Sequence, residues 1–338
     1  MIRTVYLPAC LLLLVAACAP PADTLVTLDG ATMGTQYQVK YLDDGLVDEA
    51  RLRAEIDNRL AAINASMSTW IADSELSRLN AAPAGQAVPV SDELYEVLRA
   101  ARRIHRQSGG AFDVTVGPLV NLWGFGPGDT PRARPDEAAV AAALERVGMA
   151  RLKLDPDART VTRETSGMYV DLSAIAKGYA VDEVAKLIAK HGLAGFMVEI
   201  GGEVRTHGVN AGGGPWRIGI ETPLPGQRSV QRVVELEDTG FATSGDYRNF
   251  FEQDGTRYSH TLDPRTGYPV THALASVSVR YAPTMRADAI ATAMMVLGPI
   301  DGMRVAEERG WPVLMLIHDG EGFVERTSST FDGRQDGG

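Results

Sequence analysis

The apolar positions of this chain recur with two periods. Residues 24–42 alternate between apolar and polar, most plainly in Tyr37-Gln38-Val39-Lys40-Tyr41, and predict a first strand. Over 47–66 the period is 3.6, through Leu52, Ile56, Leu60 and Ile63, and predicts a helix. Ser91 heads a second helix, with Leu94, Val97, Leu98 and Ala101 inside and Ser108-Gly109-Gly110 as its stop. Residues 124–134 predict a loop, and 136–147 a short Ala-rich helix. After about 150 strand signals prevail, at 151–154, 160–163 and 168–172, followed by a helix capped by Ser173 that runs through Val181, Val184 and Leu187/Ile188 to Gly192. Further strands are predicted at 195–200, 203–209, 216–221, 230–236, 240–243, 257–262 and 274–281. Helices at 285–297, its start capped by Thr284, and at 300–309 precede closing strands at 312–317 and 323–326. This order predicts an α+β fold: a helical lobe in the N-terminal half, then a mainly antiparallel sheet with helices flanking one side.

The first eighteen residues, MIRTVYLPACLLLLVAAC, follow another logic. Arg3 is a short positive region and Leu11–Val15 the centre of an apolar one, too short and too lightly flanked to span a membrane. They predict a secretory signal over 1–17. Its end, Leu14-Val15-Ala16-Ala17-Cys18, resembles a bacterial lipobox, in which Cys18 becomes the lipidated first residue; a plain signal cleaved near Ala19 is the alternative. Residues 18–28 then read as a lipid-anchored tether, 29–330 as one domain and 331–338 as a flexible tail. The expected location is the periplasmic side of a bacterial membrane, with Ala19 rather than Asp after the cysteine favouring the outer one. Cleavage removes Cys10, the only other cysteine, so a disulfide framework, a Cys zinc site, a Cys nucleophile and thiol-attached flavin are all excluded.

Composition narrows the classes further. With 45% hydrophobic and 22% charged residues the chain is ordinary globular protein. A net charge of −10 argues against a nucleic-acid partner, which would need a basic stripe. The dinucleotide fingerprint is absent, since Gly124-Phe125-Gly126-Pro127-Gly128 has the wrong spacing, and there is no P-loop. Ser173 and Lys177 are too far apart for a Ser-x-x-Lys pair. The six histidines lack metal-ligand spacing, so a metal here is expected to be a hard cation on oxygen ligands, Mg²⁺ before Zn²⁺.

Four stretches carry candidate chemistry. Residues 111–126 mix aromatics, glycines and Asp113, as a pocket wall for a flat ring would, or as an apolar core strand with a turn. In 171–180 Asp171 ends a strand and Ser173 opens a helix with Lys177 in its first turns, which suits an anion or a simple N-cap. Residues 243–248 and 259–267 bring hydroxyls, Asp263 and His260 close in sequence, either as a hairpin or as a Ser244/His260/Asp263 triad without a nucleophile elbow. In 287–292 Asp288 and Thr292 share one helix face, where they could grip Mg²⁺ or simply serve the helix itself.

Together these blocks resemble the FAD:protein FMN transferase (ApbE) family over about 30–300. Met33-Gly34-Thr35, Met67-Ser68-Thr69-Trp70, Asp73–Asn80, 111–126, Asp171–Asp182, Glu199-Ile200-Gly201-Gly202-Glu203, 243–270 and 287–292 carry the resemblance. It implies an ApbE-like fold with an FAD cleft between lobes, FAD as substrate and Mg²⁺ as cofactor, and transfer of FMN to a Thr or Ser hydroxyl with release of AMP. The implied acceptors are flavoprotein subunits of membrane redox complexes, of the Na⁺-pumping NADH:quinone reductase or Rnf type. The implied FAD contacts are Met33, Trp70, Ala111, Phe112, Asp113, Asp171, Lys177 and Leu262. The implied metal ligands are Ala174 and Ala291 through carbonyls and Asp288 and Thr292 through side chains. Trp70 stands where many members have Tyr, which keeps a stacking face but trades a hydroxyl for an indole N–H. His260 is the candidate base, with Lys177 and Asp288 completing the catalytic set. The alternatives are an FAD pyrophosphatase giving FMN and AMP, and a periplasmic lipoprotein that holds flavin without catalysis.

Overall fold

The computed structural model of the chain describes residues 24–224, 229–247 and 249–332. The signal, Cys18, the first part of the tether and most of the tail lie outside these residues. The alternating run at 24–42 is a hairpin rather than one strand: β1 (Thr24–Thr32) pairs with β2 (Thr35–Asp43), Thr32 opposite Thr35. Its turn, Met33-Gly34, is left-handed at both residues (φ 51° and 71°). A methionine at a position usually marked by Asn, Asp or Gly hid the turn from the pattern.

Four elements of the first half follow: α1 (Glu49–Met67), α2 (Glu75–Ala81), β3 (Ala87–Pro89) and α3 (Asp92–Gln107). Then come α4 (Gly117–Leu122), α5 (Glu137–Leu144), β4 (Leu152–Asp155) and β5 (Thr160–Arg163). The second half holds α6 (Ala176–Lys190), β6 (Phe196–Ile200), β7 (Glu203–His207), β8 (Trp216–Glu221), β9 (Val230–Leu236) and β10 (Gly240–Gly245). The chain closes with β11 (Phe250–Gln253), β12 (Thr256–Ser259), β13 (Leu274–Arg280), α7 (Thr284–Arg309), β14 (Val313–Asp319) and β15 (Gly322–Thr327).

The central sheet has eight strands in the order β1-β2-β6-β7-β10-β13-β14-β15, every neighbouring pair antiparallel. The first hairpin therefore belongs to the sheet formed by the second half, with Tyr37 opposite Ile200. Side chains alternate between two cores. Val198, Val313 and Met315 face the layer of α1, α3, α6 and α7, whereas Met197, Leu314 and Leu316 face a second core covered by β8–β9 and Phe331. β14 is buried on both faces, which is why it reads as an unbroken apolar run. Strands β3, β5 and β4 form a separate small sheet, as do β11 and β12.

Several expectations are corrected. Residues 168–172 form no strand beyond a single bridge between Val116 and Tyr169. Side chains satisfy that backbone instead: Asn80 donates to the Val170 carbonyl and accepts from its N–H, both at 2.8 Å, and Arg163 donates to the Met168 carbonyl. Ser173 does not cap α6, whose N-cap is Ile175 without a side-chain bond. The two helices expected at 285–297 and 300–309 are present: they run together as α7 but are separated by a non-helical break at Gly298 (φ 77°), just before Pro299. Although α7 has the length and apolarity of a membrane span, it is mostly buried in the protein core. The tether expected over 18–28 gives way to β1 at Thr24, with Leu28 in the core. The domain reaches past 330, because Phe331 is buried and Asp332 pairs with Arg232.

Thr284 does not cap α7 either. The cap comes from Asp182 on α6, whose Oδ1 accepts the N–H of Thr284 and Oδ2 that of Met285, each at 2.9 Å. Burial raises the pKa of this carboxyl, and the two backbone donors oppose the shift. Asp182→Ala strands two buried N–H groups, so urea denaturation is expected to show a loss of about 1–3 kcal/mol. An unchanged midpoint would contradict the capping role.

Candidate active site

A cavity of about 490 Å³ opens at one end of the central sheet, within the range usual for small-molecule sites. Its floor comes from the β6–β7 turn, the end of β10 and the facing turns of α6 and α7: Lys177, Gly201, Gly202, Glu203, Ser244, Asp288 and Thr292. Opposite stand Ala111, Phe112, Val116, Val120 and Phe125. Trp70, two-thirds exposed, forms part of the rim. The segment through His260, Thr261, Leu262 and Pro264 closes the third side.

Lys177 and Asp288 converge because α6 and α7 touch. A Cβ on Gly178 would lie 2.6 Å from the Thr284 carbonyl oxygen, so glycine permits the approach. The Gly178 N–H, at the start of α6, donates to Asp288 Oδ2 at 3.0 Å. One turn along α7, Thr292 Oγ1 lies 3.3 Å from Ser244 Oγ of β10. Glu203 follows the left-handed Gly201-Gly202 turn (φ 61° and 104°), and its Oε1 is 2.6 Å from Lys177 Nζ.

Glu203 and Asp288 are both buried; Glu203 holds this ammonium directly, and its charge also acts on Asp288. Burial raises the Glu203 pKa; Lys177 opposes the shift and Asp288 adds to it. Burial likewise raises that of Asp288, against Lys177 and the Gly178 N–H. Glu203 Oε2 is buried and accepts no hydrogen bond. The buried Asp288 carboxylate, with the Thr292 hydroxyl one turn further along the same helix face, offers oxygen donors suited to a hard cation. Among the described residues there is no cluster of three or more His, Cys, Asp or Glu side chains placed to hold a metal. The oxygens of Asp288 and Thr292 therefore fit such an ion only together with carbonyls or substrate.

His260 Nδ1 lies 3.0 Å from the Asn249 carbonyl, which can only accept, so the ring proton sits on Nδ1 and Nε2 keeps its lone pair. Burial lowers the His260 pKa, with the Asn249 bond and the Asp246 charge opposing, so the ring is neutral at pH 7. No Ser244/His260/Asp263 triad forms. Ser244 contacts Thr292, His260 contacts Asn249, and Asp263 is taken by Arg265 at 2.7 Å.

Of the residues singled out from the sequence, Trp70, Ala111, Phe112, Asp113, Asp171, Ala174, Lys177, His260, Leu262, Asp288 and Thr292 line this one cavity. Met33 and Ala291 do not: Met33 sits in the β1–β2 turn against the core, and Ala291 is fully buried within α7. The Asp113 carboxylate is already occupied, accepting from the Thr115 N–H and hydroxyl and the Met149 N–H, so it shapes the loop under the cavity. Asp171 likewise accepts from the Ser173 N–H at 2.8 Å. Trp123 leaves the wall for the interior, where it donates to the Gly267 carbonyl at 3.0 Å and packs on Tyr258. The sequence offered Ser244 only as a triad member and Glu203 only within the 199–203 block, so neither was expected where it stands, Ser244 against Thr292 and Glu203 against Lys177.

The family model for the ApbE family matches residues 33–315. The chain belongs to the ApbE family. An FAD:protein FMN transferase of Vibrio cholerae is 47% identical over 95% of both chains, and one of Haemophilus influenzae is 42% identical over 94% of this chain and 93% of the other. Among solved structures, the flavin transferase ApbE from Vibrio cholerae superposes with a TM-score of 0.85 at 45% identity, covering 91% of this chain and 98% of that one. The ApbE protein of Thermotoga maritima gives 0.83 at 30% identity over the same shares. The α+β architecture with its antiparallel sheet and flanking helices is thus that of the ApbE flavin transferases.

¹⁵N-resolved NMR of His260 should show a neutral ring protonated on Nδ1 at pH 7, titrating below the ordinary histidine value of about 6.5. A charged ring at pH 7 would contradict the assignment.

Proposed function

We infer that this chain transfers the FMN half of FAD to a Thr or Ser hydroxyl of an acceptor protein, releasing AMP in a Mg²⁺-dependent reaction. The observation that carries this reading is a base, an ammonium and a buried carboxylate converging in one cavity of an ApbE-family chain. Its relatives carry the name FAD:protein FMN transferase.

In the reaction the acceptor oxygen forms a bond to the FMN-side phosphorus while the bond from that phosphorus to the bridging oxygen breaks, and AMP leaves with the bridging oxygen. His260 Nε2 takes the acceptor proton. The Lys177 ammonium faces the negative charge of the diphosphate. Asp288 and Thr292 would hold the cation with their side chains, and of the two implied carbonyl ligands Ala174, which lines the cavity, would join them, whereas Ala291 is buried within α7. When bound, Mg²⁺ supplies neutralisation of the charge that builds on the phosphate oxygens. Phe112, Leu262 and Trp70 offer apolar and aromatic surface to the flavin, and Ala111, Asp113 and Asp171 form the wall beside it.

The chain acts, in this reading, as a lipoprotein held at Cys18 on the periplasmic side, the outer membrane before the inner. Its acceptors are flavoprotein subunits of membrane redox complexes, of the Na⁺-pumping NADH:quinone reductase or Rnf type. The sheet geometry supports a tether that leaves the cavity clear. Thr24 pairs with Asp43 at the end of β2 away from Tyr37 and Ile200, beside which the cavity lies, about 20 Å along the strand. The exposure of Trp70 at the rim favours a second reading, in which water enters instead and FAD is hydrolysed to FMN and AMP.

Incubation with FAD, Mg²⁺ and a Thr-bearing acceptor domain should add an FMN-sized mass to the acceptor. Asp288→Ala should abolish AMP release. His260→Ala should slow transfer by about 10²–10⁴-fold with FAD still bound. Full activity of the Asp288 variant would end the metal reading, and AMP and free FMN without acceptor labelling would favour the hydrolase.

A further inference from the structure

Glu203 is the one buried carboxylate of the cavity floor that the reaction above leaves unused. It is 2% exposed at the first position of β7, opposite Ile200 of β6, so its backbone is held by the central sheet. The turn before it consists of two glycines. A Cβ on Gly201 would fall 2.9 Å from Thr35 Cγ2 and 3.5 Å from Lys177 Cδ. The close approach is to Thr35, while the Lys177 stem passes the turn at ordinary contact distance and its Nζ ends 2.6 Å from Glu203 Oε1.

Asp288 stands on the neighbouring turn of α7, its carboxylate accepting the N–H of Gly178, the residue that follows Lys177. The charges of Lys177, Glu203 and Asp288 act on one another. A flexible four-carbon stem rooted one residue away would otherwise turn its ammonium to that carboxylate. An ammonium bound there would oppose a divalent cation for the same oxygens by like-charge repulsion at low effective dielectric.

We propose that Glu203 is a positioning residue that holds the Lys177 ammonium off Asp288, and so keeps the Asp288 carboxylate available to a divalent cation. The proposal rests on the reading of Asp288 as a metal ligand. It assigns Glu203 neither to the metal nor to proton transfer. Its contact is with Lys177, and its effect on the cation passes through Lys177.

The test is a double-mutant cycle on metal binding, read without turnover by Mn²⁺ titration of the full-length protein in the absence of FAD, followed by electron paramagnetic resonance. Glu203→Gln keeps the shape and removes the charge, and should weaken Mn²⁺ binding about tenfold or more. Lys177→Met should bind Mn²⁺ at least as tightly as the parent. The double variant should match Lys177→Met, because the loss in the first variant needs the lysine. A Glu203→Gln protein that binds Mn²⁺ like the parent overturns the proposal. So does a double variant as weak as Glu203→Gln, which would make Glu203 a direct partner of the cation. Should Glu203→Gln fail to fold, Lys177→Met decides alone: weakened Mn²⁺ binding overturns the proposal, and unchanged or tighter binding supports it. Asp288→Asn separates the underlying reading from the proposal. If it leaves Mn²⁺ binding intact, the metal site itself lies elsewhere.

Discussion

The candidate site depends on two reciprocal caps between α6 and α7. Asp182 of α6 accepts the first N–H groups of α7, and Asp288 of α7 accepts the N–H of Gly178 near the start of α6. Each helix thus sets a buried carboxylate against the other's N-terminal end, where unsatisfied donors and the helix dipole favour negative charge. Gly178 permits the contact, since any side chain would strike the α7 backbone. Beside this contact Lys177, Asp288 and Thr292 line one cavity. Their convergence follows from packing rather than from proximity in sequence.

Around that lock the cavity combines two kinds of wall. The sheet side is rigid and polar, made of the β6–β7 turn and the end of β10, with Thr243 and Ser244 tied to Ser278 and Thr292. The opposite side is apolar and aromatic, carried by the loop and short helix over 111–125 and braced from behind by Trp123 on Tyr258 and Tyr268. A dinucleotide has a charged middle and a flat apolar end, and this division matches both. His260 lies where the walls meet, edge-on to Phe125, and its neutral state follows from burial and the Asn249 carbonyl.

Much of the scaffold was legible in the sequence because it is written in short-range periodicity. The helices at α1, α3 and α6 follow a 3.6 repeat, and the strands of the second half alternate or run apolar according to which faces they bury. What stayed hidden is non-local or disguised. The cap of Thr284 comes from a residue 102 positions earlier, beyond any local window. The turn at Met33 lacks the residues that announce a hairpin, and α4 begins at Gly117-Pro118, which looks like a break although proline suits a first helical turn. The site residues drew attention in scattered blocks, each with an ordinary structural explanation, and the resemblance to one family joined them. Glu203 escaped because the strand expected at 203–209 does not say that the glutamate opening it is buried, and only the packed sheet reveals that.

The central claim is that the α6–α7 contact holds a divalent cation against the diphosphate of FAD. Crystals grown with FAD and Mn²⁺, measured at the manganese absorption edge, test it most directly. The account predicts an anomalous peak bonded to Asp288 and Thr292, with the flavin nucleotide's diphosphate beside Lys177. A peak at other residues, or a nucleotide bound outside this cavity, would contradict it.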